Sequence, residues 1–454
     1  MREEGMSKKL SSGDEIENLI EPGQTAPEVR PDGTRALPER RYKTNIPMII
    51  ILAMMLVFGF IILYSVSGPD AYGQFQDSAY FVKRQLGLTA FGLLGCFLAA
   101  VIPINFFKRK WVMLGAYGLS FALAVITLLV GQGGQQHGAS RWITIGSIQF
   151  QSSELIKVAL IIAFAGYRAA VDEMHRKGKL KAKSPGKQML LDAAFDFIIP
   201  VVSVIAVDIV IILEPHVSCF IIIAIVIFMC ALSSEIPLKS WIVGGLITAI
   251  VGVLALIIVM AAVPSFQEKI TSNYAHVFKR LAIFNADGEE SEDEEQKITA
   301  DDTRQVDNAF NALGSGGMWG TGLGNSRSKY NYVSEAQNDY IFSIYIEETG
   351  FVGGLILIIM YMVMFFMCVR VIWQARGLFA RTVATGCTAL IFIEVLLNLA
   401  VELQVIPSTG VTLPFISYGG TAQIFLLTAY GFILSVSRYA TGPEPAPRKK
   451  EIRA

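Results

Sequence analysis

A carboxylate suited to taking a proton from a hydroxyl stands at Asp339, in Asn338-Asp-Tyr-Ile-Phe342, where a long polar segment gives way to an apolar run. Two readings are open: a general base beside a nucleophilic hydroxyl, or an acid favoured by the cap or first turn of a helix. Glu335, four residues earlier, fits either role. Arg141, and the pair Lys83-Arg84, have the charge and donor geometry for a pyrophosphate. Glu154 and Lys157 lie three apart on one helical face, as a self-neutralising pair or as the lining of a cavity. Glu394, Asn398 and Glu402 recur at i, i+4 and i+8, one polar stripe for interhelical hydrogen bonds or for a proton or substrate path. Asp208 needs a basic partner such as Lys157 or Arg84, and Glu214-Pro215-His216 reads as a turn. The stretch Gly314-Ser-Gly-Gly-Met-Trp-Gly-Thr-Gly-Leu-Gly324 lacks the Lys-Ser/Thr of a phosphate loop, so close backbone approach to a lipid or sugar fits better.

The elements that must hold these groups are membrane helices. Of 454 residues, 53% are hydrophobic and 17% charged, with mean hydropathy +0.50 and net charge +0. Charged content is below the roughly 25% usual for soluble domains, and the apolar residues come in runs. Disorder, a collagen-like chain and a nucleic-acid binder are excluded for the whole chain. The expected fold is an all-α polytopic membrane protein of about ten transmembrane helices with one large extracytoplasmic loop. The spans fall near 46–66, 83–102, 111–131, 153–170, 196–213, 216–232, 239–263, 338–368, 381–404 and 414–437. Cys96, Cys219, Cys230, Cys368 and Cys387 all sit in apolar runs as small hydrophobes, without a disulfide or metal pattern. The first apolar run is too long and too internal to be a cleaved leader.

Lys and Arg set the orientation. With the N-terminus inside, inner segments hold 27 of the 38 basic residues, which places both termini in the cytoplasm. The chain then divides into a polar cytoplasmic tail (1–45), a membrane domain (46–437) and a basic cytoplasmic tail (438–454). The outer loop spans 264–337. Its acidic stretch, 285–303, has the composition of a solvated, flexible insertion.

Several blocks resemble the SEDS family (shape, elongation, division and sporulation), the RodA/FtsW/SpoVE group. They are Tyr80-Phe-Val-Lys-Arg-Gln85, Ser140-Arg-Trp-Ile143, Gln151-Ser-Ser-Glu154 with Lys157, Leu213-Glu-Pro215, and the glycine-rich stretch with Asn325. Glu335, Asp339-Tyr-Ile-Phe342, Glu347-Glu-Thr-Gly350, Asn398, Pro407-Ser-Thr-Gly410 and Leu413-Pro-Phe-Ile-Ser-Tyr-Gly-Gly420 follow in family order. The resemblance covers nearly everything after residue 45. It implies an inverting peptidoglycan glycosyltransferase that polymerises lipid II, the undecaprenyl-pyrophosphate-linked disaccharide peptide, at the outer face of the bacterial cytoplasmic membrane. A class B penicillin-binding transpeptidase is the implied partner.

By the same resemblance Asp339 is the catalytic carboxylate. Arg84, Arg141, Glu154, Lys157, Lys329, Glu335, Asn398 and Ser417 are the expected substrate-binding residues. The departing pyrophosphate needs positive charge, from Arg84, Arg141 and Lys157 with Lys329 or a divalent cation, Mg or Mn. No dense carboxylate cluster marks a metal cage, so such a cation would be held loosely and partly by phosphate, and no organic cofactor is expected. Departures from the family pattern are His216 for an aspartate, Ser152 for a proline, Asn308 for a glutamine, and atypical Glu402 and Gln404. The polar stripe keeps a lipid-precursor flippase as an alternative, and the departures keep a non-catalytic scaffold.

Overall fold

The computed structural model describes residues 45–131, 142–145, 148–214, 216–262, 300–330 and 336–439. Arg141, Glu335, the acidic stretch up to residue 299 and most of both predicted tails lie outside the described residues. In chain order the elements are α1 (Ile46–Phe75), α2 (Tyr80–Val101), the one-turn α3 (Ile104–Phe107), α4 (Lys110–Val130), and an antiparallel hairpin of β1 (Ile143–Ile145) and β2 (Ile148–Phe150). Then come α5 (Ser152–Arg176) and α6 (Pro185–Ala193), which runs through a π-helical turn (Ala194–Ile198) into α7 (Ile199–Leu213). Next are α8 (Val217–Ser233), α9 (Leu238–Ala262), α10 (Ala300–Ser315), α11 (Ile341–Gln374), α12 (Leu378–Glu402) and α13 (Thr421–Tyr439).

A helix stands at each of the ten expected positions, and the chain is a multi-pass membrane protein. By length and composition, seven helices among the described residues are able to cross a bilayer: α1, α2, α4, Pro185–Leu213, Leu238–Ala255, α11 and α12. The other three fall short for physical reasons. Helix α8, with 17 residues, covers only ~26 Å. Helices α5 and α13 are packed inside the protein and carry the polar residues that such burial requires. The hairpin β1–β2 is the one departure from an all-helical reading among the described residues.

Three boundaries differ from expectation. Helix α1 continues past residue 66 through Pro69 to Phe75. Helix α10 begins at Ala300, inside the stretch expected to be flexible. The last helix starts at Thr421 because residues 414–420 turn instead, with Phe415 in the left-handed region at φ 67. That turn presses on α1, where a Cβ at Gly59 would lie 2.3 Å from the Phe415 carbonyl oxygen.

Small residues let helices approach closely, as is usual where lipid supplies no hydrophobic drive between them. Helices α2 and α13 cross at Gly431, where a Cβ would meet the Cys96 carbonyl oxygen at 2.4 Å. Tyr430 donates its hydroxyl to the Met48 carbonyl at 2.9 Å, tying α13 to α1. Ser152, which replaces the expected proline, accepts a hydrogen bond from Thr127 Oγ1 at 2.6 Å and links α5 to α4. All five cysteines are buried and unbridged, as their apolar settings predict.

The glycine-rich stretch makes its close approach to the protein's own backbone. Gly350 has φ 71 and ψ −174, so α11 kinks there and the carbonyls of Glu347 and Glu348 are freed. Thr321 N–H and Gly322 N–H donate to those carbonyls at 3.0 and 2.9 Å, and Phe351 N–H donates to Gly317 at 2.9 Å. A Cβ on Gly320 would lie 2.2 Å from the Glu348 carbonyl oxygen, and one on Gly350 would lie 2.4 Å from Gly320 N. Gly350→Ala and Gly320→Ala are therefore each expected to cost about 1–3 kcal/mol in backbone strain, before any steric displacement. Because both break one contact, the double variant should lose less than the sum, measured as thermal unfolding in detergent. A Gly350→Ala protein as stable as the parent would show this contact to be wrong.

Candidate active site

Asp339 is half-buried, one residue before the N-cap of α11. It does not act as that cap: the N-cap is Tyr340, and no side chain of its own bonds to the helix start. The surroundings of Asp339 come from the loop 403–420 and from α12. Gly410 lies against its carboxylate, since a Cβ there would be 3.8 Å from Oδ2. Asn398 Nδ2 donates to the Asp339 carbonyl and to the Val411 carbonyl, both at 2.9 Å. Two residues before Asp339, the Gln337 carbonyl accepts the Tyr418 N–H at 2.9 Å, and Gln337 Nε2 donates to Asp70 Oδ2 at 3.4 Å.

The loop itself is pinned at several points. Ser218, in the first turn of α8, donates to the Thr409 carbonyl at 2.7 Å, and Tyr361 of α11 donates to the Pro414 carbonyl. Ser417 is 1% exposed and closes its own turn, accepting the Leu413 N–H at 2.9 Å while its N–H returns to the Leu413 carbonyl at 3.0 Å. Its hydroxyl oxygen and its N–H thus both serve the turn, a structural task beside the expected substrate-binding one.

Arg84 is exposed, with Tyr418 close enough to feel its charge. Burial pushes the Tyr418 phenol up, and Arg84 pulls it the other way. Next to it, Gln85 Nε2 donates to the Ser417 carbonyl at 3.3 Å, which holds α2 against the same turn. Lys83 points to a different partner, Asp77, at 2.7 Å, and that hydrogen bond holds the Asp77 carboxyl below the usual range.

The other expected cations are engaged elsewhere. Lys157 is buried between Glu154 Oε2, at 2.8 Å, and Glu394 Oε1, so three sequence-distant or helical neighbours form one buried triad. The charges of the pair do neutralise one another, with a second carboxylate added from α12. Asp208 is not the partner of Lys157 or of Arg84 by any ion pair; its Oδ1 is buried without a hydrogen bond. Lys329 was expected at the pyrophosphate, and its ammonium is instead spent on the protein. Nζ donates to Glu348 Oε1 at 2.8 Å, to the Gly324 carbonyl at 2.7 Å and to the Ser65 carbonyl at 3.2 Å, which uses all three N–H groups.

The polar stripe on α12 divides among three tasks. Glu394 joins the triad, Asn398 holds Asp339 and Val411, and Glu402 bonds the start of α11. Asn398 is therefore a backbone clamp beside the site. Residues that sequence reasoning missed are Asp70 and Gln337, and for the pair Glu347–Glu348, named there only within a family block, it gave no partners. Glu347 accepts from Ser326 Oγ at 2.6 Å and from the Arg327 and Ser328 N–H groups at 2.9 and 3.3 Å. For Asp70 and the glutamates the signal available was an acidic residue inside or at the end of an apolar run; for Gln337 there was none. Arg168 and Asp196 form a further unforeseen buried ion pair at 2.7 Å, with Asp196 in the π-helical turn. His216 and Glu214 are buried, and Asn308 is half-buried on α10.

Comparison with known proteins shows what the chain as a whole is similar to. The family described as "Cell cycle protein" (FtsW/RodA/SpoVE) matches residues 46–442. Stage V sporulation protein E of Bacillus subtilis is 28% identical over 88% of this chain and 99% of its own length. A protein of a Geobacter species, named probable peptidoglycan glycosyltransferase FtsW, is 30% identical over 89% of this chain and 99% of its own length. Among solved structures, the rod shape determining protein RodA of Thermus thermophilus shares the fold at TM-score 0.57, with 21% identity over 88% of this chain and 98% of that one. A chain of a peptidoglycan synthase complex, described as coordinating polymerization and crosslinking, gives TM-score 0.59 at 23% identity, over 87% of this chain and 98% of that one. On the match across nearly the whole membrane domain, the chain belongs to the FtsW/RodA/SpoVE family of cell cycle proteins, the SEDS family.

Proposed function

We propose that this chain is a peptidoglycan glycosyltransferase that polymerises lipid II, with Asp339 as the base. The observation that carries the reading is the half-buried Asp339 carboxylate, set at the mouth of α11 by Asn398 and faced by Gly410, in a chain whose relatives are named peptidoglycan glycosyltransferases. In the proposed step an acceptor sugar hydroxyl loses its proton to Asp339 as its oxygen bonds to the donor's anomeric carbon. The bond from that carbon to the undecaprenyl pyrophosphate breaks, and the pyrophosphate leaves with its electron pair, so the configuration inverts. Arg84, exposed and near Tyr418, would supply positive charge to the leaving pyrophosphate in this reading. Glu154 and Lys157 stabilise the bundle below the site through their triad with Glu394.

Among the described residues no three His, Cys, Asp or Glu side chains converge as a metal cage. A divalent cation, Mg or Mn, would accordingly be held loosely and partly by the pyrophosphate of the substrate. The basic residues of the predicted inner segments support an orientation with both termini in the cytoplasm and Asp339 at the outer face. The likeness to a chain of a peptidoglycan synthase complex supports a class B penicillin-binding transpeptidase as partner. The flippase alternative rested on the α12 stripe, whose three members are held by protein groups. Purified protein, with and without a class B penicillin-binding protein, is expected to convert labelled lipid II into glycan strands resolved by gel electrophoresis. Absence of strands in both arms overturns the reading.

A further inference from the structure

Helix α11 starts without a cap of its own. Tyr340 at the N-cap has φ −117 and ψ 25, and it makes no side-chain hydrogen bond to the helix. The first N–H groups of a helix have no partner within it, and they carry the positive end of its dipole. Here those groups find a carboxylate from another helix. Phe342 N–H donates to Glu402 Oε1 at 3.2 Å, Ser343 N–H to Oε2 at 2.5 Å, and the Ser343 hydroxyl to Oε2 at 2.7 Å. Glu402 is 1% exposed, so its two oxygens depend on these three donors.

One helical turn earlier on α12, Asn398 grips the Asp339 carbonyl. The backbone of Asp339 and Tyr340 is thus bracketed, with Asn398 on the carbonyl of Asp339 and Glu402 on the second and third N–H groups after Tyr340. Asp339 and Glu402 are also near enough to interact electrostatically. Glu402 stands outside the blocks shared with the SEDS family, so the resemblance assigns it no role. We propose that Glu402 is a positioning residue: by capping α11 from across the bundle, its carboxylate fixes the direction of the helix start and with it the direction in which Asp339 presents its own carboxylate to the acceptor.

The chemistry of the cap explains why a carboxylate serves. Glutamate offers acceptors on both oxygens, one for Phe342 and one shared by the two Ser343 donors. Glutamine would keep one acceptor and turn an NH₂ group toward donors, so one end of the cap would become a clash of donors. The side chain would stay the same size, and the loss would fall on the geometry of the residues just before the helix.

The inference rests on the glycosyltransferase reading, and the test separates the two. Wild type, Asp339→Asn, Glu402→Gln, Glu402→Asp, Ser343→Ala and the double variant Asp339→Asn with Glu402→Gln are assayed with labelled lipid II in detergent micelles. For each, kcat, KM and the thermal midpoint are measured. Misplacement of a reacting group by an ångström costs about 10²-fold, so Glu402→Gln is expected to lower kcat by that order with KM for lipid II held within about twofold. Glu402→Asp, which keeps the carboxylate on a shorter arm, is expected to recover part of kcat, and Ser343→Ala to lose only a small part of it. The double variant should be no slower than Asp339→Asn alone, because a positioning residue acts only through the group it places.

Wild-type kcat in Glu402→Gln, beside an inactive Asp339→Asn, overturns the positioning role and leaves the glycosyltransferase reading standing. An active Asp339→Asn overturns the assignment of the base itself. If Glu402→Gln does not fold, Glu402→Asp and Ser343→Ala decide: loss of kcat that merely follows the folded fraction, or a rise in KM in step with it, overturns the proposal.

Discussion

Asp339→Asn is expected to slow lipid II polymerisation by about 10²–10⁴-fold, the usual contribution of a positioned general base. The substitution keeps the size and the hydrogen-bond acceptor of the side chain but removes its ability to take a proton. It also leaves the local fold in place, because Asn398 holds residue 339 by its main-chain carbonyl and Glu402 holds the helix that follows. The thermal midpoint should therefore match wild type while the glycan product disappears. Asp339→Glu should restore only a little, since the longer arm carries the carboxylate away from a position bounded by Gly410. An Asn variant that polymerises within about tenfold of wild type would take Asp339 out of proton transfer.

Lys329→Met is expected to destabilise the protein by about 3–5 kcal/mol, the range for breaking a buried ion pair by removing one partner. The side chains of Lys329 and Glu348 are 2% and 1% exposed, so the stranded Glu348 carboxylate would keep only the Ser65 hydroxyl as donor. The lysine also bridges three segments, α1 through Ser65, the glycine-rich stretch through Gly324 and α11 through Glu348. Its loss removes the tie at Gly324, while the backbone hydrogen bonds from Thr321, Gly322 and Phe351 still hold the stretch to the kink at Gly350. Lys329→Met combined with Glu348→Met removes both charges and should recover much of the stability, so a double-mutant cycle on unfolding midpoints isolates the pair. The pyrophosphate role predicts the opposite pattern, a raised KM for lipid II with an unchanged midpoint. A Lys329→Met variant that behaves in that way would return the lysine to the substrate.

The two predictions differ in what could be read without a structure. Asp339 is legible as a carboxylate where a polar segment gives way to an apolar run, and the family resemblance is what chose the base over a helix-start acid. Lys329 is legible only as a cation, since nothing in its neighbourhood along the chain reveals that Glu348, 19 residues later, will lie on it. The same holds for the α12 stripe. Its spacing shows that Glu394, Asn398 and Glu402 share a face, but it does not say that the face meets α5 at one level and the start of α11 at another.

What the sequence determined by itself is the kind of molecule: apolar runs of bilayer length, the bias of basic residues among the loops, and helices at all the expected positions. These follow from local composition, because transfer into lipid is decided residue by residue along a single span. Tertiary structure alone decided which charges are spent on joining which helices. In a low-dielectric interior every buried ionic or polar group needs a partner, and those partners come from other helices. Lys157 and Lys329 were paired in this way, Ser417 closed its own turn, and Asp339 was set between α12 and the 403–420 loop.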